Sequence, residues 1–221
     1  MQTISAWSGD LLYFVASVVL LAAYHVYLRL RVRRSSTYTV QAVHNIARAA
    51  WVESVMKSGR DILAVQTLRN STMAATFLAS TAVLLIVGVL SLSGQGDKLG
   101  STWHALNLFG TTDPTLWLLK LIVLLLDLCW AFFCFTLAVR KFNHAGYLLN
   151  LPRDFEHPII TPRYVAAYLN RAGRFYSLGM RAYYFTLPLL FWLFGPHLML
   201  ASSVLLVFLL YNLDRVYGDG D

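Results

Sequence analysis

Four long apolar stretches constrain the fold of this chain more than any other feature of its sequence. Each could cross the roughly 30 Å hydrocarbon core of a bilayer, which takes about 20 residues of helix. The composition agrees, because 57% hydrophobic and 13% charged residues lie outside the usual soluble range. We therefore predict an all-α polytopic membrane protein, a single integral membrane domain over residues 1–221, with transmembrane helices at about 11–30, 73–92, 115–139 and 183–213.

The first apolar stretch is interpreted as a retained helix. No Lys or Arg precedes it, and it runs into the sequence RLRVRR without a small-residue cleavage site. Both features argue against a signal peptide.

The basic residues predict an orientation. Loops rich in Lys and Arg stay on the cytoplasmic side, and such residues fill the two segments after the first and third spans. The other side carries mainly aspartates, so we expect N-out/C-out topology with an acidic outer rim, in a bacterial inner membrane. The rim aspartates are Asp10, Asp97, Asp113, Asp214, Asp219 and Asp221, with Lys98 and Arg215 among them.

The two basic segments are predicted to contain amphipathic cytoplasmic helices, at about residues 37–69 and 163–182. In the first, apolar residues recur at helical spacing, and Glu53 with Lys57 forms an i to i+4 pair. Two interpretations stay open at this point. The helices lie at the membrane surface, or they form a cytoplasmic extension or vestibule wall shared between subunits.

Several motifs resemble a known family. They are AAYHVYLRLRVRR, AAWVESV, VQTLRNSTMAATFLASTA and NRAGRFYSLGMRAYYFTLPLLFWLFGP, which together cover most of the chain. The chain resembles an uncharacterised domain-of-unknown-function family of four-helix membrane proteins from bacteria and plants. The resemblance implies the four-span topology and no activity.

Charged residues inside the third span are candidates for a functional site. Asp127 lies near its middle, where a charge is costly unless it faces protein or water, whereas Lys120 either extends to the headgroups or joins a permeation site. Gly195 and Pro196 predict a break in the fourth span, and His197 follows it. We expect Asp127 and His197 to approach one another, as an ion or proton site or as a structural hydrogen bond.

A second polar group is expected at the cytoplasmic mouth. These residues form either an anion-attracting entrance or an interfacial belt. They are Tyr24, His25, Gln66, Arg69, Asn70 and Arg181.

The function expected from these features is a homo-oligomeric membrane channel or transporter for an ion or proton. The alternative is a non-transporting scaffold or regulator whose basic helices bind anionic lipid or a cytoplasmic partner. No HExxH motif, Gly-rich phosphate loop or nucleophile motif appears, so we expect no enzyme activity and no cofactor or metal. The formal charge of +7 lies beside apolar spans, which favours lipid over nucleic acid as the partner.

Overall fold

The computed structural model describes residues 2–35, 37–58, 61–94, 113–152, 155 and 157–215, with the side chains of 2–6 and 61 left out. Four residues predicted to lie at the outer rim fall outside this part of the chain: Asp97, Lys98, Asp219 and Asp221. The described residues form six α-helices and no named strand. They are α1 (Gln2–Arg34), α2 (Val40–Ser58), α3 (Asp61–Ser93), α4 (Pro114–Leu149), α5 (Pro162–Phe194) and α6 (Pro196–Asp214).

The prediction of an all-helical chain with four membrane spans is confirmed. α1, α3, α4 and α6 are long and apolar enough to cross a bilayer, over Trp7–Arg34, Ile62–Ser93, Pro114–Leu149 and Pro196–Asp214. The first three contain the predicted spans. The fourth differs, because the predicted span 183–213 is divided between the end of α5 and the whole of α6.

The break at Gly195 reverses the chain instead of kinking one helix. Gly195 has φ 158° and ψ 152°, a region that glycine alone adopts readily, and Pro196 opens α6 without needing a hydrogen bond for its nitrogen. Asp214 lies about 28 Å along α6 from this point, yet it contacts Arg181, about 21 Å back along α5. That contact requires α5 and α6 to form an antiparallel hairpin.

The hairpin corrects the predicted topology. Trp7 donates a hydrogen bond to Asp113, so α1 and α4 begin at the same end of the bundle, which we call the outer end. At the opposite, inner end, Thr39 after α1 forms a β-bridge with Arg215 after α6. The start of α1 and the end of α6 therefore lie at opposite ends, and not on the same side as expected, because α5 also runs from the inner to the outer end and adds a passage to the four long apolar helices.

The two predicted cytoplasmic segments are also divided differently. α2 ends at Ser58, and residues 61–69 are the first turns of α3. Val52 and Val55 of α2 are buried in one core cluster with Leu169 of α5, so α2 forms part of the bundle wall. The second segment, 163–182, is the first part of α5, whose remaining turns continue into the bundle.

Close packing joins α4 to α5 along their length. A Cβ atom on Gly179 would lie 2.7 Å from the ring of Phe135, so only glycine lets the two helices approach this closely. Ala131, Ala182 and Ala79 of α3 are buried around the same ring. Small residues at helix contacts are typical of membrane bundles.

Candidate functional site

Polar side chains meet inside the bundle at three depths. At the outer depth, Lys120 of α4 forms an ion pair with Asp10 of α1, with 2.9 Å between Nζ and Oδ1. Both side chains are almost fully buried, at 2% and 1% exposure. The Lys120 ammonium also lies 5.4 Å from the ring centre of Trp192, which stacks on Phe14.

This ion pair corrects two expectations. Lys120 does not extend to the headgroups, because its ammonium is held inside the bundle. Asp10 is not part of an acidic outer rim, since it neutralises Lys120. A buried charge is strongly destabilising unless it has a partner of opposite charge. The contact between Lys120 and Asp10 therefore fixes α1 against α4.

At the middle depth, Asp127 accepts a hydrogen bond from the hydroxyl of Thr186 on α5, at 2.9 Å. Asp127 is half-buried. His197 lies beyond the reversal at Gly195, at the end of the hairpin where Trp192 meets Lys120. Asp127 is about 10 Å further along α4 than Lys120, so Asp127 and His197 lie at different depths along the bundle axis. This corrects the expectation that the two residues approach one another.

At the inner depth, Arg181 of α5 binds Asp214 of α6 through one nitrogen, Nη2, at 3.0 and 2.9 Å from the two carboxylate oxygens. Tyr24 of α1 donates to the same carboxylate at 2.8 Å. Arg181 Nη1 lies 2.8 Å from His25 Nε2, and His25 Nδ1 lies 2.7 Å from the carbonyl oxygen of Leu21. Because arginine only donates and a carbonyl only accepts, His25 is neutral with its proton on Nδ1.

The placement of Asp214 is the second correction to the acidic rim. It was expected on the outer side and lies instead in the inner cluster. Its charge compensates that of Arg181, so a guanidinium at this depth is not left alone in a partly apolar environment.

A cavity of about 650 Å³, the arginine cavity, opens beside this cluster between α1, α2 and α5. Five arginines line it, and the other polar lining groups are neutral or histidine. None of the described residues that line it is an aspartate or glutamate. Its arginines are Arg29, Arg33, Arg171, Arg174 and Arg181.

The electrostatics of the arginine cavity follow from that lining. Arg181 is compensated by Asp214, whereas the ion pairs described elsewhere in the chain involve none of the other four arginines. Guanidinium groups converging on one concave surface raise the local concentration of anions. The fork of N–H donors on each group matches phosphate and carboxylate oxygens.

The predicted cytoplasmic entrance is only partly assembled. Tyr24, His25 and Arg181 come together as expected. Gln66 is exposed on α3, and Arg69 lines a smaller cavity of about 330 Å³ beside Tyr147. Asn70 lines a third cavity between α2, α3 and α5.

Several residues of these contacts escaped the sequence reasoning. Thr186 gives no signal, because a threonine in a membrane helix usually bonds its own backbone, as Thr186 also does to Ala182. Arg171 and Arg174 do carry a signal that could have found them, since they lie three residues apart on one face of a predicted helix. Their convergence with Arg29 and Arg33 depends on contacts between distant segments.

The fold and the arginine cavity define a multi-pass helical membrane protein with a basic pocket at one end of its bundle. The chain belongs to the family described as "Protein of unknown function, DUF599", whose sequence model matches residues 12–218. The resemblance seen in the motifs is thereby confirmed. Searches of curated proteins and of solved structures found no match.

Proposed function

We propose that the protein binds a phosphate-bearing anion in the arginine cavity, and that this binding at the inner end of the bundle is its primary function. The observation that supports the proposal is the convergence of five arginines with no acidic residue among the described lining. Several guanidinium groups suit a group with multiple anionic oxygens better than a monovalent halide. The proposal makes more specific the alternative expectation of a non-transporting scaffold or regulator that binds anionic lipid.

A lipid headgroup and a soluble phosphate share this chemistry. Leu28, Val32 and Leu178 line the cavity together with the arginines, which suits a headgroup with apolar neighbours. The basic residues are those that predict a cytoplasmic face, where anionic lipids concentrate. The experiment must therefore separate the two sources.

The test measures thermal unfolding of the detergent-purified chain with phosphatidylglycerol, phosphatidylcholine or inorganic phosphate, at constant ionic strength. If the ligand is an anionic lipid, phosphatidylglycerol should raise the Tm, and phosphatidylcholine and inorganic phosphate should not. At a lipid concentration of about 100 times Kd, the expected stabilisation is about 2.7 kcal/mol. If the ligand is a soluble phosphate, inorganic phosphate should raise the Tm. We expect the double variant Arg171→Gln, Arg174→Gln to lose most of the shift.

Arg163→Gln is the matched control, because Arg163 is exposed on the same helix and does not line the cavity. It should keep the wild-type response. Equal stabilisation of the double variant and the wild type would rule out the arginine cavity as the binding site.

Ion or proton transport is a second candidate, favoured by Asp127. Its carboxylate is half-buried near the middle of α4 with a neutral hydroxyl as its described hydrogen-bond donor. Intramembrane carboxylates of this kind occur on ion and proton pathways. Conduction would require a homo-oligomer, since one thin bundle leaves little room for a pore. Neither candidate involves covalent chemistry, and the absence of enzyme activity stays a prediction.

Flux of protons and ions into liposomes containing the purified protein tests this candidate. Asp127→Asn keeps an acceptor for Thr186 and removes the titratable charge. We expect the flux of the variant to fall to that of empty liposomes at matched folding and oligomeric state. Equal flux in both proteins would exclude Asp127 from the path, and no flux in either, beside a working control channel, would remove the transport proposal.

A further inference from the structure

A second cavity, of about 710 Å³, lies on the other side of α2 from the arginine cavity. We call it the Arg48 cavity, because Arg48 is the one arginine among the described residues that line it. Gln41 and Ser177 line both cavities, and the Ser177 hydroxyl donates to the Gln41 side-chain oxygen at 2.7 Å. The two cavities therefore adjoin at this hydrogen bond, and their other lining residues differ.

Neutral partners hold the Arg48 guanidinium in place. Its Nε donates to Asn170 at 2.8 Å, its Nη2 donates to Asn45 at 2.6 Å, and Asn170 donates in turn to the Asn45 carbonyl oxygen at 3.1 Å. In the described part of the chain, no carboxylate lies within ion-pair distance of Arg48. Burial lowers the pKa of Arg48 from its ordinary value, but an arginine remains charged. Among the described residues, its positive charge therefore has no negative counterpart.

Gly173 makes this position possible. A Cβ atom there would lie 2.8 Å from both Cζ and Nη1 of Arg48, so the guanidinium packs directly against the backbone of α5. Nη1 makes no hydrogen bond to any described residue. The group is thus fixed on one edge and retains donors for a ligand on another.

The walls of the Arg48 cavity differ from those of the arginine cavity. Trp51 and Tyr176 supply aromatic surface, and buried Leu68, Phe142 and Leu169 supply apolar surface. The neutral polar residues Thr67, Asn70 and Ser71 also line the cavity, together with the histidine His44. A mostly apolar pocket of this volume with one fixed charge is typical of a small-molecule site.

We propose that the Arg48 cavity binds an organic monocarboxylate whose body is aromatic or aliphatic. The single fixed guanidinium pairs with the carboxylate, and the aromatic and apolar walls cover the body of the ligand. The site goes beyond the phosphate-binding function and does not depend on it.

The test is titration calorimetry on the purified full-length chain in nanodiscs, with phenylacetate and decanoate as the aromatic and aliphatic probes. Phenylacetamide is the neutral control, because it keeps the ring and loses the charge. We expect saturable binding of at least one acid, and at least about tenfold weaker binding of the amide when phenylacetate is the acid that binds. Arg48→Gln should weaken binding of the acid by at least about tenfold and leave phenylacetamide unchanged.

Two further variants keep the test decisive. Ala74 is exposed at the wall of the cavity on α3, so Ala74→Phe places a ring in the cavity and removes none of the Arg48 hydrogen-bond partners. It should weaken binding of the acid and provides a second test if Arg48→Gln fails to fold. Arg171 lines the arginine cavity, so the Arg171→Gln variant should bind the acid as tightly as the wild type. Undiminished binding in a folded Arg48→Gln or Ala74→Phe, or no saturable binding of either acid to wild type, would overturn the proposal.

Discussion

At the scale of single residues, three charges inside the described bundle have a partner on another helix. Lys120 has Asp10, Asp127 has Thr186, and Arg181 has Asp214. An uncompensated charge in a low-dielectric interior is strongly destabilising, so these contacts fix the positions of the helices relative to one another. They also explain why apolar segments tolerate such residues.

The Asp10 and Lys120 pair gives a prediction at this scale. Lys120→Met or Asp10→Leu alone leaves one buried charge without its partner and should lower the free energy of unfolding by roughly 3–5 kcal/mol. The double variant Asp10→Leu, Lys120→Met removes both charges and should lie within about 1 kcal/mol of wild type. Denaturant unfolding in micelles, followed by tryptophan fluorescence, measures the cycle.

A pair on the surface provides the control for that cycle. Glu53 and Lys57 are 2.7 Å apart but exposed, and such pairs contribute only about 0.3–0.5 kcal/mol. Glu53→Gln should therefore change stability little. Additive effects of the two buried substitutions would contradict the partnership of Asp10 and Lys120.

At the scale of elements, the α5 and α6 hairpin organises the inner half of the molecule. α5 carries Arg171 and Arg174 to the arginine cavity and then continues into the bundle, and α6 returns Asp214 to the level of Arg181. α6 packs on α1, so the hairpin also attaches α1 to the bundle. The positive-φ conformation of Gly195, which glycine adopts readily, allows the return over a single residue.

The hairpin predicts where a reporter at the C-terminus is exposed. Alkaline phosphatase is active only outside the cytoplasm, whereas green fluorescent protein fluoresces inside it. With each reporter fused after residue 94, at the outer end of α3, and after residue 221, we expect opposite readouts at the two positions. In a bacterial host, the fluorescent signal should belong to the C-terminal fusion, because we expect the arginine-rich inner end to face the cytoplasm.

The relative result does not depend on the absolute orientation of the chain. A continuous fourth span would place both fusion points on one side and give the same readout at both. That outcome would contradict the reversal at Gly195.

At the scale of the whole molecule, the bundle is apolar outside and polar at defined depths inside. Large apolar side chains face outward, with Phe77 and Leu84 exposed at 73% and 72%, which suits contact with lipid. The polar contacts join α1 to α4, α4 to α5, α5 to α6 and α6 to α1. This closed circuit fixes the register of helices whose apolar surfaces alone specify it weakly. Homo-oligomerisation and the bacterial inner membrane stay predictions.

The sequence by itself determined the helical class, the number of apolar spans and the break at Gly195, because each depends on local length, hydropathy or backbone chemistry. Only the tertiary structure decided that the break is a reversal. A glycine followed by proline permits either a kink or a return, and distant contacts such as Arg181 with Asp214 select between them. The partner of Lys120 was equally hidden, since Asp10 lies 110 residues earlier in the chain. Depth in the bundle, and with it the separation of Asp127 from His197, is set by how helices pack and not by position in the sequence.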